Sequence, residues 1–279
     1  MKISDIASAI VYAESVLHSL LEAQVLLAHV LSVPRTYLYA WPHQPLSLEE
    51  TEHFLGFIQR RQQGEPIAYL VAEKEFWSLT LTVTPAVLIP RPETECLVEA
   101  ALVHFPNHDL KRVLELGTGS GAIALALAKE RPIWEIWAID CSLAALAIAK
   151  KNAKNLSLTQ IQFHASDWFQ YFDSLSFQFD LIIGNPPYIS PDDFWQYEAG
   201  LRWEPEAALL SAEAGLADLT HIIQKAMPFL AVNGWLMLEH GFDQASAVAA
   251  LMQTAGFVEI NTLPDLAGKP RVTIGKQPF

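Results

Sequence analysis

The sequence is poor in cysteine and in positive charge. Its two cysteines, Cys96 and Cys141, have the spacing of neither a zinc site nor a disulfide framework, so we expect a reducing, cytoplasmic compartment. Its 18 Lys and Arg against 31 Asp and Glu give a net charge of −13. Non-specific nucleic-acid binding needs clustered basic side chains to release counterions. The charge therefore favours a protein partner or a small molecule, and we expect no direct contact with nucleic acid.

Long apolar runs are also missing. No run approaches the roughly 18 residues that a membrane-spanning helix needs, and Asp5, Glu14 and His18 interrupt the region where a signal peptide would be apolar. We therefore expect no membrane association. The chain is 51% hydrophobic over 279 residues, which is enough for one large domain and a small one.

The first part of the chain has a helical pattern. Leucine and valine recur at steps of three and four over residues 15–33, which predicts one amphipathic helix there. Ser47 followed by Glu50 is a capping box, and it predicts a second helix that runs to Arg61 and stops before Gly64.

The period changes to two over residues 76–88, where Leu79 and Leu81 alternate with threonines. That alternation predicts a β-hairpin. We place the domain boundary there and expect a helical domain over residues 1–72, a hairpin linker over 73–90 and a larger domain over 91–279.

Strand and helix patterns alternate in the larger domain. The strand-like runs are residues 112–116, 135–139, 160–164, 179–183, 235–238, 257–261 and 272–274, and helix-like segments cover 122–129 and 143–152. Such alternation predicts a parallel sheet with helices on both faces. The last two runs leave little room for a helix between them, so they predict an antiparallel pair. The predicted fold class is α/β with a seven-stranded, Rossmann-like sheet.

A glycine-rich turn joins the first predicted strand of that sheet to its helix. Its residues are Glu115, Gly117, Thr118, Gly119, Ser120 and Gly121. Glycines let the backbone turn tightly and let a ligand approach it closely. Asp140 lies 19 positions after Gly121, at the end of the second strand, where an acid can accept both hydroxyls of a ribose. A dehydrogenase places similar groups, and an ordinary turn with a helix N-cap remains the structural alternative.

Two further elements follow the third and fourth strands. Asp167 is expected to accept from an adenine amine and Trp168 to line the base, although a surface acid beside a core tryptophan fits nearly as well. The fourth strand ends in Asn185-Pro186-Pro187-Tyr188. An amide NH2 is a poor nucleophile, but the Asn185 oxygen and the Pro186 carbonyl can accept its two N–H groups and align its lone pair.

The position of this tetrapeptide favours S-adenosylmethionine over NAD. A dehydrogenase needs no such slot, whereas methyl transfer to a planar amine does. Ligands of open α/β sheets bind at the carboxyl ends of the strands, and the glycine turn, Asp140, Asp167 and Asn185 all fall there. We therefore predict methyl transfer to a planar amine in this cleft, a reaction with no step that needs a metal.

Several other blocks carry a family resemblance over nearly the whole chain. They are residues 64–70, 75–77, 88–95, 203–205, 238–241 and 265–273. Together with the two motifs they resemble the release-factor glutamine methyltransferases of the HemK type, which methylate the glutamine of a Gly-Gly-Gln loop in class-1 peptide-chain release factors. Val71-Ala72 departs from the Thr-Gly that many members have there.

The resemblance implies a class I methyltransferase domain, an N-terminal domain that docks the release factor, and S-adenosylmethionine as cofactor. It implies catalytic roles for Asn185, Pro186 and Tyr188, and a substrate slot made of these residues and Pro187. The implied cofactor-binding residues are Glu115, Gly117, Thr118, Gly119, Ser120, Gly121, Asp140, Trp168 and Asn185, and the position of Asp167 adds it to this set. Arg91 and Glu93, on the linker beside the cleft, are assigned to substrate binding, with a contact to the cofactor or an ordinary surface pair as the alternatives. We also expect a monomer.

Two other functions fit part of the pattern. A nucleic-acid adenine methyltransferase uses a similar slot on a flipped base, but the acidic charge and the linker blocks argue against it. A binding protein that has lost turnover is disfavoured by the intact Asn185 and the glycines. Trp77, Trp195 and Trp203 are candidates for a peptide-binding rim, and His240 is expected to be packed rather than to act as a base.

Overall fold

The computed structural model describes residues 3–107, 109–173, 177–194 and 199–278. The chain divides into two compact units. One comprises Met1–Glu73 and Ala199–Trp203, and the other comprises Lys74–Glu198 and Glu204–Phe279. Within the described ranges no helix has both the length and the apolar character to cross a membrane.

The first unit is helical. Its helices are α1 (Ile6–Leu17), α2 (Leu20–Val30), α3 (Arg35–Ala40), α4 (Leu48–Gln62) and α5 (Ile67–Val71). The predicted start of α4 is confirmed, because the Ser47 hydroxyl accepts from the Glu50 amide at 3.1 Å while the Glu50 carboxylate accepts from the Ser47 amide at 2.7 Å. Leu26, Phe54 and Ile58 meet in the apolar core of this unit.

The single helix predicted over residues 15–33 is wrong. The chain leaves α1 at His18, which has a left-handed φ of 55°, and Ser19 begins α2 by accepting from the Glu22 amide at 3.2 Å. A serine cap satisfies a free amide at a helix start and so supports a break that apolar periodicity does not reveal. The break lets Ile6 of α1 and Leu26 of α2 enter one core.

The second unit begins with the predicted β-hairpin. Strands β1 (Glu73–Phe76) and β2 (Leu79–Thr82) are joined by Trp77 and Ser78, both with positive φ, at 51° and 54°. Two consecutive left-handed residues give a hairpin turn whose twist matches that of the strands. Leu79 and Leu81 are buried, as the alternation predicts.

A seven-stranded sheet forms the centre of this unit. Its strands are β3 (Arg112–Leu116), β4 (Glu135–Asp140), β5 (Ile161–Ala165), β6 (Phe179–Gly184), β7 (Leu230–Glu239), β8 (Val258–Pro264) and β9 (Pro270–Lys276). The order is β5-β4-β3-β6-β7-β9-β8. Strands β3 to β7 pair in parallel, and β9 is antiparallel to β7 and β8. The predicted α/β sheet with a closing antiparallel pair is confirmed, and β7 begins five residues before the predicted run.

Helices cover both faces of the sheet. They are α6 (Glu95–His104), α7 (Ala122–Glu130), α8 (Leu143–Asn155), α9 (Ala212–Gly215), α10 (Ala217–Ala226) and α11 (Ala245–Thr254). Short 3-10 turns cover Pro92–Thr94, Trp168–Phe172, Glu206–Ala208 and Met227–Phe229. Alternate residues of β3 enter different cores: Val113 packs with α6 and α7, whereas Leu114 packs with α10 and α11. The strand ends between these two layers carry the polar residues of the candidate site.

Candidate active site

A cavity of about 300 Å³ lies at the carboxyl ends of β3, β4, β5 and β6. Seven of the predicted site residues line it, namely Gly117, Gly119, Asp140, Asp167, Trp168, Asn185 and Pro187. They come from four strand ends that are up to 70 positions apart in the chain. The parallel sheet therefore places the predicted nucleotide-binding residues and the predicted amide slot side by side in the lining of one cavity.

The backbone of the glycine turn has a conformation that residues with a side chain rarely adopt. Gly117, Gly119 and Gly121 all have positive φ, at 69°, 55° and 87°. A Cβ at Gly121 would lie 3.0 Å from the Leu125 side chain, whereas one at Gly119 would meet nothing within 4 Å. Gly121 thus serves the close packing of the turn on α7, and Gly119 leaves open space in the cavity wall.

Glu115 supports this turn from behind. It is 1% exposed, and its Oε2 accepts from the Thr118 hydroxyl at 2.6 Å and from the Ala124 amide at 3.2 Å. Burial raises the pKa of Glu115 to about 8, and the two hydrogen bonds oppose that rise. Glu115, Thr118 and Ser120 are not among the cavity-lining residues, so their direct contact with a cofactor stays a prediction.

Asp140 fastens the turn to β4 and also faces the cavity. Its Oδ2 accepts from the Gly119 amide and its Oδ1 from the Ser142 amide, both at 2.8 Å. Burial raises the pKa of Asp140, and these backbone bonds oppose that rise. Each carboxylate oxygen has a second lone pair, so the side chain can still accept from a ligand hydroxyl.

An apolar surface lies beside the glycine turn. The Trp168 ring lies 3.9 Å from the position of a Cβ at Gly117, and Asp167 is exposed with its carboxylate accepting from Gln170 at 3.1 Å. An indole surface, an acceptor for ribose hydroxyls and a turn without side chains fit an adenosyl group. The residues present are therefore those that a nucleoside-containing cofactor requires.

Asn185 is held by its amide nitrogen. Its Nδ2 donates to the Thr94 hydroxyl oxygen at 3.2 Å, which leaves Oδ1 available as an acceptor. Gly184 brings the end of β6 close to β3, since a Cβ there would lie 2.8 Å from the Leu116 carbonyl oxygen. No residue larger than glycine can therefore occupy position 184 without displacing the β3 backbone, and Asn185 follows directly after it.

Tyr188 is fixed at both its backbone and its hydroxyl. Its carbonyl accepts from the Gln244 amide nitrogen at 3.0 Å, and a Cβ at Gly215 would clash with that same carbonyl oxygen. Its hydroxyl donates to Glu239 Oε1 at 3.2 Å. Burial raises the pKa of Tyr188, so this residue is a neutral donor.

Glu239, at the end of β7, is the buried acid of this region. It is 1% exposed, and its Oε2 has no hydrogen-bond partner among the described residues. Burial raises the pKa of Glu239 to about 7, and the Thr94 hydroxyl, the Arg271 charge and the Tyr188 hydroxyl oppose that rise. Arg271 is itself paired with Asp265 at 3.2 Å.

The predicted substrate residues Arg91 and Glu93 lie outside the cavity lining. Arg91 pairs with the buried carboxylate of Glu204, whose other oxygen accepts from the Ile89 amide at 2.9 Å. Glu93 is exposed. This pairing gives Arg91 a structural partner, and a contact of either residue with substrate stays a prediction.

His240 is fully buried, with its ring nitrogens 2.8 Å from the Gly241 carbonyl and 2.8 Å from the Thr273 hydroxyl. Burial lowers its pKa, which fits the expected packed, neutral histidine. Of the tryptophans considered for a rim, Trp77 donates to Glu130 at 2.9 Å, Trp203 is half-buried, and Trp195 lies outside the described residues.

Sequence reasoning assigned no role to Thr94, Glu204, Glu239 or Arg271. All four lie in the blocks that carry the family resemblance. The structure connects the block at 88–95 to another block through Arg91 and Glu204, and to the Asn-Pro-Pro-Tyr motif through Thr94 and Asn185. The blocks themselves were the available signal. Their partners are too far apart in the chain for spacing alone to connect them.

Comparisons with known proteins agree with this geometry. Residues 9–71 match the PrmC N-terminal domain and residues 94–199 match the methyltransferase small domain. The chain is 46% identical over 256 residues to the release factor glutamine methyltransferase of Shewanella oneidensis, covering 92% of this chain and 88% of that protein. It is 44% identical over 255 residues to that of Escherichia coli K12, covering 91% of both.

The chain belongs to the release factor glutamine methyltransferase family. Solved structures support the fold: a methyltransferase from Pyrococcus furiosus has a TM-score of 0.57 at 15% identity, covering 79% of this chain and 99% of its own. A 16S rRNA methyltransferase of T. thermophilus, solved with AdoMet and guanosine, has a TM-score of 0.53 at 19% identity, covering 74% of this chain and 49% of its own. The predicted family, fold, enzyme class and cofactor are confirmed: this member of the glutamine methyltransferase family uses S-adenosylmethionine.

Proposed function

We propose that the protein transfers a methyl group from S-adenosylmethionine to the side-chain amide nitrogen of the glutamine in the Gly-Gly-Gln motif of class-1 peptide-chain release factors, and so supports translation termination. One observation carries the proposal: Asn185 and Pro187 of the amide slot line the same cavity as Gly119 and Asp140 of the nucleotide elements. A methyl donor and an amide nitrogen can meet there. The names of the relatives supply the class of protein substrate.

The proposed chemistry follows from the acceptors in the slot. Asn185 Oδ1 and the Pro186 carbonyl accept the two N–H groups of the glutamine, which turns its nitrogen lone pair toward the cavity. The Tyr188 ring packs against the amide plane. The nitrogen becomes strongly acidic once its new N–C bond forms, so its proton can leave afterwards and no general base is needed first.

The cofactor supplies an electrophilic sulfonium methyl when it is bound. We assign Asp140 to the ribose hydroxyls and Trp168 to the adenine ring, with Gly117 and Gly119 allowing the ligand to approach the backbone. Fixing two reactants about 3–3.5 Å apart in line can contribute several kcal/mol to lowering the barrier. Catalysis in this proposal consists of position and electrostatics rather than proton transfer.

A labelling experiment separates this function from its rivals. The purified protein is incubated with methyl-labelled S-adenosylmethionine and, in separate reactions, a release factor, the same factor with its motif glutamine changed to alanine, and DNA. We expect label in the first reaction alone, with one methyl group on the glutamine by mass spectrometry. Label in DNA would instead support an adenine methyltransferase, and cofactor binding without any label would support a non-catalytic protein.

We further propose that the helical unit docks the release factor. It carries large exposed aromatics, Tyr39 at 64% and Trp41 at 59% exposure. Trp41→Ala should raise the KM for the intact factor several-fold, or about 1 kcal/mol for one interface aromatic. The KM for a short Gly-Gly-Gln peptide should not change. Val103→Ala, at an equally exposed position on α6, is the matched control, and equal effects on factor and peptide would contradict docking by this unit.

A further inference from the structure

The Asn185 side chain has two orientations, and only one of them suits the proposed reaction. If Oδ1 faces the slot, it can accept from a substrate N–H group; if the amide is rotated by half a turn, its NH2 faces that group instead and donor meets donor. In the structure Nδ2 donates to Thr94 Oγ1 at 3.2 Å. The direction of this hydrogen bond therefore decides whether the slot can hold a glutamine.

The direction of the Asn185–Thr94 hydrogen bond depends on Glu239, the group on the other side of Thr94. Thr94 is 5% exposed, and its hydroxyl opposes the rise that burial causes in the pKa of the Glu239 carboxyl, which places the two groups next to each other. An ionised carboxylate is an acceptor only, so the Thr94 hydroxyl donates to it and keeps its oxygen for Asn185. Tyr188 donates to the same carboxylate at 3.2 Å. Asn185 is thus connected to Glu239 through Thr94, and Tyr188 is connected to the same acid directly.

We infer that Thr94 and Glu239 are positioning residues that hold the Asn185 amide with its oxygen toward the substrate nitrogen. This inference rests on the proposed function, since it concerns how that slot is prepared. Neither residue reaches the cavity; both act through Asn185. A protonated Glu239 can donate to the Thr94 oxygen. Thr94 then donates its own hydroxyl to Asn185, whose amide must rotate by half a turn to present Oδ1 to Thr94 and its NH2 to the slot.

The surroundings of Glu239 place the titration of its carboxyl within the pH range of an activity assay. Burial raises its pKa to about 7, the charge of Glu93 adds to the rise, and the charge of Arg271 opposes it. Burial raises the pKa of the Cys96 thiol on α6, and the charge of Glu239 adds to that rise. Turnover by the wild type should therefore fall as the pH is lowered through about 7, as Glu239 takes up a proton.

The test compares turnover and pH profile at saturating cofactor and release factor. Thr94→Val removes the hydroxyl at nearly constant volume and should lower kcat about tenfold or more, the effect of one hydrogen bond of about 1.4 kcal/mol. Thr94→Ser restores the hydroxyl and should recover most of kcat. Calorimetry should show an unchanged Kd for S-adenosylmethionine in both variants, which reports that they are folded.

Glu239→Gln gives a second measurement, because a glutamine cannot take up the proton. It should lower kcat and abolish the fall in turnover on the acid side. Wild-type kcat in Thr94→Val, an equally slow Thr94→Ser, or an unchanged acid limb in Glu239→Gln would overturn the inference. If the wild type itself fails to methylate the motif glutamine, the proposed function fails before these variants are compared.

Discussion

Each half of the site rests on a buried glutamate, and the two are held in different ways. We call residues 115–121 with Asp140 the glycine-turn half, and Thr94, residues 185–188 and Glu239 the Asn185 half. Burial raises the pKa of Glu115 to about 8 and that of Glu239 to about 7. Both carboxyls accept from a side-chain hydroxyl. One acid lies under the turn and the other lies behind the amide slot.

The difference lies in how far along the chain their partners are. Glu115 accepts from Thr118 and Ala124, three and nine residues away. Glu239 accepts from Tyr188, 51 residues away, and its Thr94 contact comes from farther still. The first half can form as soon as β3 and α7 meet. The second half requires the assembled sheet, so any change that disturbs the order of β6 and β7 should affect it first.

Asn185→Ala should break the Asn185 half and leave the other intact. It removes the acceptor of the substrate nitrogen, and misalignment of a reacting group by about 1 Å costs on the order of 100-fold in rate. We expect kcat to fall by at least that factor, with a much smaller change in the Kd for S-adenosylmethionine. Single-turnover rates with a Gly-Gly-Gln factor measure it. Methyl transfer at the wild-type rate would mean that the glutamine is held elsewhere.

Asp140→Ala should break the glycine-turn half instead. It removes a charged acceptor that also receives the Gly119 amide, so we expect affinity for S-adenosylmethionine to fall by about 1.5–3 kcal/mol. Turnover at saturating cofactor should fall less. Calorimetry on the folded variant is the measurement. A variant with normal cofactor affinity but slow turnover would mean that Asp140 serves the methyl-transfer step rather than cofactor binding.

The contrast explains what could be predicted from the sequence. The glycines, Asp140 and Asn185 were found because each follows a strand pattern, and the sheet topology alone brings strand ends together. The break at His18 was missed because a serine cap outweighed an unbroken apolar period. A helix cap such as Ser19 with Glu22 is visible in the sequence. Whether it interrupts an apolar period depends on how the two helices pack.

Thr94 and Glu239 could not be assigned for a different reason. Nothing in their spacing connects them, since they lie 145 positions apart, and each reads as an ordinary residue of its own segment. Their contact arises from the placement of β7 beside β6 and from the 3-10 turn before α6. Long-range hydrogen bonds of this kind follow from the fold, and the fold must be known before they can be proposed.

The pH dependence of stability should sharpen the comparison. A carboxyl whose folded pKa is raised binds its proton more tightly in the folded state, so stability is greatest below the unfolded value near 4.5 and is lost as the pH rises. For Glu115 the loss extends to about pH 8 and for Glu239 to about pH 7. Each group contributes a slope of at most about 1.4 kcal/mol per pH unit.

Urea denaturation between pH 5 and 9 of Glu115→Gln and Glu239→Gln measures these contributions. The free energy of unfolding of Glu115→Gln should fall less than that of the wild type up to about pH 8. For Glu239→Gln, the difference from the wild type in free energy of unfolding should grow up to about pH 7 and stay constant above it. Identical pH profiles for all three proteins would mean that neither acid is protonated in the folded protein.

The smallest expected effect comes from removing one hydroxyl in each half. Thr118→Val takes a donor from Glu115 and Tyr188→Phe takes one from Glu239, at about 0.5–1.5 kcal/mol each. We expect Thr118→Val to weaken cofactor affinity about two- to tenfold at unchanged kcat. Tyr188→Phe keeps the ring and should lower kcat by a similar factor at unchanged affinity, whereas Tyr188→Ala should lose far more. If both single-hydroxyl variants changed affinity and kcat together, the two buried acids would act as one network, and the division into halves would be wrong.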